Sequence, residues 1–163
     1  MPPFQSSVRL AQTTGIVGEI IFDGPQRARP VILRSTDPLN NVIGRAMYHL
    51  AGDDDAVSAE DADTLVFAGI LANPKVYATD GPASGSLDPT LTLLNEENAE
   101  VIEMGIIIVQ SLTAVTIGGL VFASDTTGEL REGAAAGFTQ VPNAKFVRNN
   151  TTGAGLAIVE LTN

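Results

Sequence analysis

Val101-Ile-Glu-Met-Gly-Ile-Ile-Ile-Val109, Ala114-Val-Thr-Ile-Gly-Gly-Leu-Val-Phe122, Thr127-Gly-Glu-Leu-Arg-Glu-Gly133, Val141-Pro-Asn-Ala-Lys-Phe-Val147 and Gly155-Leu-Ala-Ile-Val-Glu-Leu161 dominate the final third of the chain. Each is a short run rich in β-branched residues, and the runs are separated by Gly, Asn and Thr. Such runs are too short for amphipathic helices and too apolar for loops. Strands of this length bounded by turn residues imply an antiparallel structure that folds back on itself repeatedly. Gly105 interrupts the first run, where a bulge or a close packing point is expected. Asn149-Asn-Thr-Thr-Gly153 has the composition of a hairpin loop between the last two.

The same grammar extends toward the N-terminus. Gly15 to Phe22, Arg29 to Ser35, Val42 to Leu50 and Leu65 to Leu71 read as strands, and Asp23-Gly24-Pro25 and Asp37 to Asn41 as turns or loops. Lys75 to Thr79 suits a further short strand. Residues 79–89 are rich in Gly, Pro and Ser and read as a flexible loop or insertion. Residues 52–63 read as an acidic loop with one helical turn near Ala59–Ala62. No strong amphipathic helix and no internal repeat is evident. The expected fold is mainly β: a barrel or sandwich of roughly nine to eleven strands with little helix. Residues 1–14, opening Pro2-Pro3-Phe4, read as an extended arm, because proline pre-orders an extended segment. Residues 15–163 then form a single β-rich domain.

Composition constrains the partners. Hydrophobic residues make up 44% of the chain but aromatics only 5%, so the core must be built from Val, Ile, Leu and Ala. Charged residues are 17%, below the roughly 25% of an average soluble domain, as in a surface partly hidden in an assembly. The net charge of -10 is unevenly placed. Residues 1–50 carry five basic and three acidic side chains, whereas residues 51–103 carry one basic and twelve acidic. No basic stripe exists to displace counterions from nucleic acid. The acidic surplus suits solvent or a basic patch on a protein partner. The absence of cysteine excludes disulfides and thiolate metal sites. No signal-peptide pattern and no apolar run of membrane-spanning length is present, so a soluble protein made in the cytoplasm is expected.

Patterns that carry chemistry are missing. Asp53-Asp54-Asp55 with Glu60, Asp61 and Asp63 has the wrong grammar for calcium: successive side chains point apart, and the glycine precedes the run. His49 is the only histidine and has no nitrogen or sulfur co-ligands for zinc. No Gly-x-Ser-x-Gly elbow, Walker A or dinucleotide glycine pattern occurs. Acid pairs in exposed runs, in a chain without Trp, do not make a glycosidase site. No catalytic residue, cofactor or metal ligand is therefore assigned, and an enzyme is not expected. What remains is the arginine set of the N-terminal third (Arg9, Arg27, Arg29, Arg34 and Arg45), a residue type favoured at protein interfaces.

The order of the C-terminal pieces resembles the structural cement, or capsid decoration, proteins of tailed bacteriophages. In that family a glycine-set strand ending Val-Phe or Val-Tyr precedes a Thr-Gly turn. A Pro-x-Ala-x-Phe strand and a closing Gly-Leu-Ala-x-Val-x-Leu strand follow. Gly118-Gly-Leu-Val-Phe122, Thr127-Gly128, Pro142-Asn-Ala-Lys-Phe146 and Gly155 to Leu161 match in order. The middle third, Asp53 to Asn95, is longer and more acidic than that pattern. The resemblance implies a structural virion protein on the outer capsid surface, made in the host bacterial cytoplasm. It would bridge major capsid protein subunits and act as a homo-oligomer, dimer or trimer. Pro2, Pro3, Phe4, Arg9, Arg27 and Arg29 are the expected capsid contacts. A small ligand- or carbohydrate-binding barrel, a hydrolase, or a tail or receptor-recognition component is the alternative reading; the first two require a pocket with convergent polar groups.

Overall fold

The computed structural model describes residues 15–21, 24–73 and 92–162. These residues form ten strands, one short 3-10 helix (Pro38–Asn40) and no α-helix. The strands are β1 (Ile20–Ile21), β2 (Arg27–Leu33), β3 (Ala46–Leu50), β4 (Asp53–Ser58), β5 (Val66–Leu71), β6 (Asn98–Ser111), β7 (Leu120–Ser124), β8 (Leu130–Glu132), β9 (Phe138–Phe146) and β10 (Gly155–Leu161).

The organising element is β6, 14 residues long, which at the rise of an extended strand spans about 46 Å. Its first half, Asn98 to Met104, pairs with β2 on one side and, at Val101 and Ile102, with β5. From there the pairing runs β2 to β4, β4 to β3 and β3 back to β5, so five strands close a ring. Its second half, Gly105 to Ser111, pairs along its length with β10. The pairing continues through β9 and β7 to β8. A parallel bridge between Ser111 and Leu130 closes this second ring. Two small closed rings thus share one strand, and closure removes most of the edges that an open sheet leaves to aggregate.

Gly105 sits where β6 passes from one ring to the other, with φ +129, a conformation that side-chain-bearing residues rarely adopt. The neighbouring β2–β6 register shifts between Arg27 and Ala28, leaving Glu103 as the extra residue. The glycine break expected from the sequence is this passage.

Each ring has its own apolar filling. Val31, Leu33, Met47, Val57, Leu71 and Val101 belong to the core of the first ring. Val109, Val121, Leu130, Val141, Phe146 and Val159 belong to that of the second. Ala46, Tyr48, Ile70 and Ile102 alternate with the inward residues of their strands and join the second cluster, so the outside of the first ring packs against the second. The core is aliphatic as composition requires. Among the described residues Phe146 is the only fully buried phenylalanine, and Tyr48 meets Phe67 edge-on at 5.8 Å.

Four readings of the sequence are corrected. The Ala114–Phe122 run is strand only from Leu120: Val115 makes an isolated bridge with Asn150, Ile117–Gly118 turn, and β7 continues to Ser124. Residues 15–22 do not form one strand: a turn at Val17–Gly18 leaves only Ile20–Ile21 paired, although Gly18 N–H still bonds to Ile108 O. The Val42–Leu50 strand begins only at Ala46, because Val42 makes an isolated bridge with Thr92 and Ile43–Gly44 turn. Half of the acidic loop at 52–63 is strand. Asp53–Ser58 pairs in parallel with β2 and antiparallel with β3 through a hairpin at Ala51-Gly52. The arm, the expected strand at 75–79 and the loop at 79–89 lie outside the described residues.

Candidate functional site

β2 presents Arg27 and Arg29, and Arg34 follows directly after it; each meets carboxylates from the acidic half of the chain. Arg27 Nε donates to Glu103 at 2.6 Å. Arg29 lies 3.7 Å from Asp55 and 3.9 Å from Glu103, and donates to the Asp54 carbonyl at 3.2 Å. Arg34 pairs with Asp53 and Glu96, both at 2.9 Å. The positive N-terminal third and the negative middle third are therefore laid side by side by the β2–β4 and β2–β6 pairings. Of the expected contact residues, Arg27 and Arg29 share one face, with side chains 50% and 38% exposed. Both are surface groups with intramolecular partners. Pro2, Pro3, Phe4 and Arg9 lie outside the described residues.

The acidic run divides into two roles. Asp54 and Asp55 are exposed, but Glu60 is 8% exposed. Burial pushes the Glu60 carboxyl up, but its hydrogen bonds outweigh this and hold it below the usual carboxylate range. It accepts from the Asp37 N–H at 2.9 Å, Asn40 Nδ2 at 3.0 Å and the Thr36 N–H at 2.7 Å, with Ser58 Oγ at 3.4 Å. This carboxylate ties the 3-10 helix to the end of β4. Sequence reading put Glu60 in a solvated loop, because its donors come from a segment more than twenty residues earlier.

The turn Asp125–Gly128 of the second ring docks on the first. The Asp61 N–H donates to Asp125 O at 2.7 Å, the Ala46 N–H to Gly128 O at 2.9 Å, and Asn40 Nδ2 to Thr126 O at 3.1 Å. A Cβ at Gly128, where φ is +69, would lie 2.5 Å from Ala46 O and 3.0 Å from Ala59 O. Burial, then the Asp125 carboxylate, pushes the Tyr48 hydroxyl up, so it stays neutral.

Beside this seam lies an open groove of about 710 Å³. Ile16, Val17, Val42, Ile43, Leu112 and Leu156 supply much of its apolar wall. Ile16 and Leu112 are 52% and 41% exposed within it. Arg45 and Glu129 also line it, paired at 3.3 Å. Burial lowers the Arg45 pKa and Glu129 opposes the shift. Among the described residues no group of three His, Asp or Glu side chains is placed to hold a metal ion. His49 Nδ1 is buried without a hydrogen-bond partner.

The two-ring body ending in Gly155–Leu161 fits the order of motifs in the capsid cement proteins, and comparison with known families decides the matter. The pattern of the family described as structural cement protein (E217 gp24/Pam3 gp6) matches residues 4–162. The chain belongs to this structural cement family. It is a family of phage structural proteins, not of enzymes. A chain of a solved structure titled "The capsid of Myoviridae Phage XM1" superposes on the cement protein with a TM-score of 0.69. The two are 21% identical and the match covers 98% of each, which establishes a shared fold. No curated protein matches the sequence.

Proposed function

We propose that this cement protein binds the outer surface of the mature phage capsid and bridges neighbouring major capsid protein subunits. The observation that carries the reading is the extent of the family match, which begins at Phe4 and so takes in the N-terminal segment together with the body. The geometry agrees with it. Two closed rings offer a body with few open edges, and the charged lining of the groove is a self-paired couple, Arg45 with Glu129. Pro2, Pro3, Phe4 and Arg9 are proposed as the arm's capsid contacts, adding a strand to a capsid edge or packing along it. Arg27 and Arg29 are proposed as contacts of the body, exchanging part of their pairing with Glu103 and Asp55 for partner carboxylates.

The mechanism is linkage. A protein that binds the expanded lattice and not its precursor stabilises the expanded form by mass action. Bridging two capsomers makes the second contact intramolecular and raises its effective concentration. Co-sedimentation of the purified protein, made in bacterial cytoplasm, with precursor and expanded shells of the cognate major capsid protein tests the reading. Saturable binding to expanded shells only, weakened by deleting residues 1–14 and by Arg27→Ala with Arg29→Ala, is expected. Equal binding to both shells, or none, overturns it.

A further inference from the structure

Closure of the second ring is incomplete along β9. Residues 144–146 pair with β10, and the last bond on that side runs from the Thr162 N–H to Asn143 O. Residues 138–140 pair with β7 alone. The Asp125 N–H bonds to Gly137 O and the Ser124 N–H to Glu129 O, which sets the alternation of the ladder. Thr139 therefore turns its backbone groups to β7, and Phe138 and Gln140 turn theirs to the open side. The Phe138 N–H is taken up by Ala135 O in the preceding turn. The Phe138 carbonyl and both backbone groups of Gln140 have no partner among the described residues, and Gln140 is exposed. Exposed edges are ordinarily guarded by a charge, a proline or a bulge. Phe138-Thr-Gln-Val141 carries no charge, and the guards come only after it, at Pro142 and at Asn143 with φ +53.

The same stretch carries a cation. The Arg131 guanidinium lies over the Phe138 ring, 5.2 Å from its centroid. Arg27, Arg29, Arg34 and Arg45 each pair with a carboxylate. Arg131 has no carboxylate partner among the described residues and donates to the Glu132 carbonyl at 3.5 Å. Phe122 pairs with Arg131 on one side and Gln140 on the other, and Leu120, 50% exposed, continues this face along β7. Arginine and aromatic side chains together are the composition of an interface hot spot. In a chain of net charge -10, an arginine left without an acid is complementary to an acid brought by a partner.

We propose that the edge at residues 138–141 receives an extended segment of a major capsid protein subunit, which adds a strand to β9 and sets a carboxylate opposite Phe138, beside Arg131. Backbone hydrogen bonds to Gln140 hold the strand, and the Arg131 ion pair fixes its register. Facing side chains on neighbouring strands start about 5 Å apart, within reach of a guanidinium stacked on Phe138. A second copy is the poorer occupant, because β9 against β9 brings two unpaired guanidiniums to one face. The first 14 residues hold no carboxylate, Arg9 being their one charged side chain. The inference rests on the capsid reading and adds to it a contact on the second ring, separate from Arg27 and Arg29 on the first.

Hydrogen exchange resolved to single residues tests the edge. In the isolated full-length chain the Gln140 N–H should exchange as an unprotected amide at low and high protein concentration. On expanded shells of the cognate major capsid protein it should slow by about 100-fold or more. The Thr139 N–H, already bonded to β7, should be slow in both states. Arg131→Gln should weaken shell binding by about 10-fold or more. Gln140→Glu, which gives Arg131 an internal acid, should do the same. Urea midpoints close to that of the unsubstituted protein would show that both variants keep the fold. A Gln140 N–H already slow in the isolated chain means that the protein covers its own edge, or pairs it with a second copy if protection rises with concentration. Either result overturns the proposal. Shell binding that leaves Gln140 exchanging freely, or that both variants retain in full, overturns it while the capsid reading stands. No binding to shells overturns both.

Discussion

Glu60 shows how one carboxylate in an acidic run comes to hold the fold together. Its oxygens satisfy two backbone N–H groups and an amide from the segment at 36–40, while its neighbours Asp54 and Asp55 face solvent. Replacing it by Gln keeps the shape but turns an NH2 group toward donors. Glu60→Gln is expected to cost about 1–3 kcal/mol at pH 7, measured by urea unfolding. The folded carboxyl is held below its ordinary value, so its contribution is complete above about pH 4.3 and fades as the pH falls through the folded value. The wild-type protein should lose this increment on acidification, and the Gln variant should show a correspondingly flatter acid limb. Gly128 is the second residue on which packing turns. Gly128→Ala meets two backbone carbonyls in a left-handed conformation and is expected to destabilise by about 2 kcal/mol or more, read as a lowered Tm.

Among the elements, β6 carries the architecture, and Gly105 lets it serve two rings. A Cβ there would sit 3.3 Å from Gln26 Cγ, so space is tight but not closed; the φ of +129 is the greater obstacle. Gly105→Ala should therefore cost upward of about 1 kcal/mol, and hydrogen exchange should quicken in both halves of β6 together. A change confined to one half would mean that the rings do not share their stability. β6, β9 and β10 were legible because each is a run of β-branched residues between turn residues; the Ala114–Phe122 run was read too long, since Ile117–Gly118 turn and the strand begins at Leu120. β4 was not, because Asp53, Asp54 and Asp55 oppose both burial and strand propensity. Two of them are offset by arginines, Asp55 by Arg29 of β2 and Asp53 by Arg34 just after it. That pairing is set by tertiary structure, and no local window contains it. The groove was invisible for a similar reason: its walls come from residues 15–17, 42–45, 110–112, 129 and 156, which nothing in the sequence groups together.

For the whole molecule, the net charge of -10 decides how it meets its partner. The ion pairs along β2 offset much of the positive charge of the N-terminal third, leaving an acidic exterior. Where charge steers the proposed association with the capsid, the on-rate should fall several-fold as salt rises from about 0.01 M to 0.15 M. An on-rate indifferent to salt would point to an apolar contact instead. Binding alone does not establish that the protein stabilises the mature shell. The most direct measurement is the disassembly temperature of expanded shells, followed by light scattering as the protein is titrated from none to saturation. A rise that saturates with site occupancy and is diminished for the chain lacking residues 1–14 is predicted. Shells that bind the full-length protein to saturation yet come apart at an unchanged temperature would contradict the account.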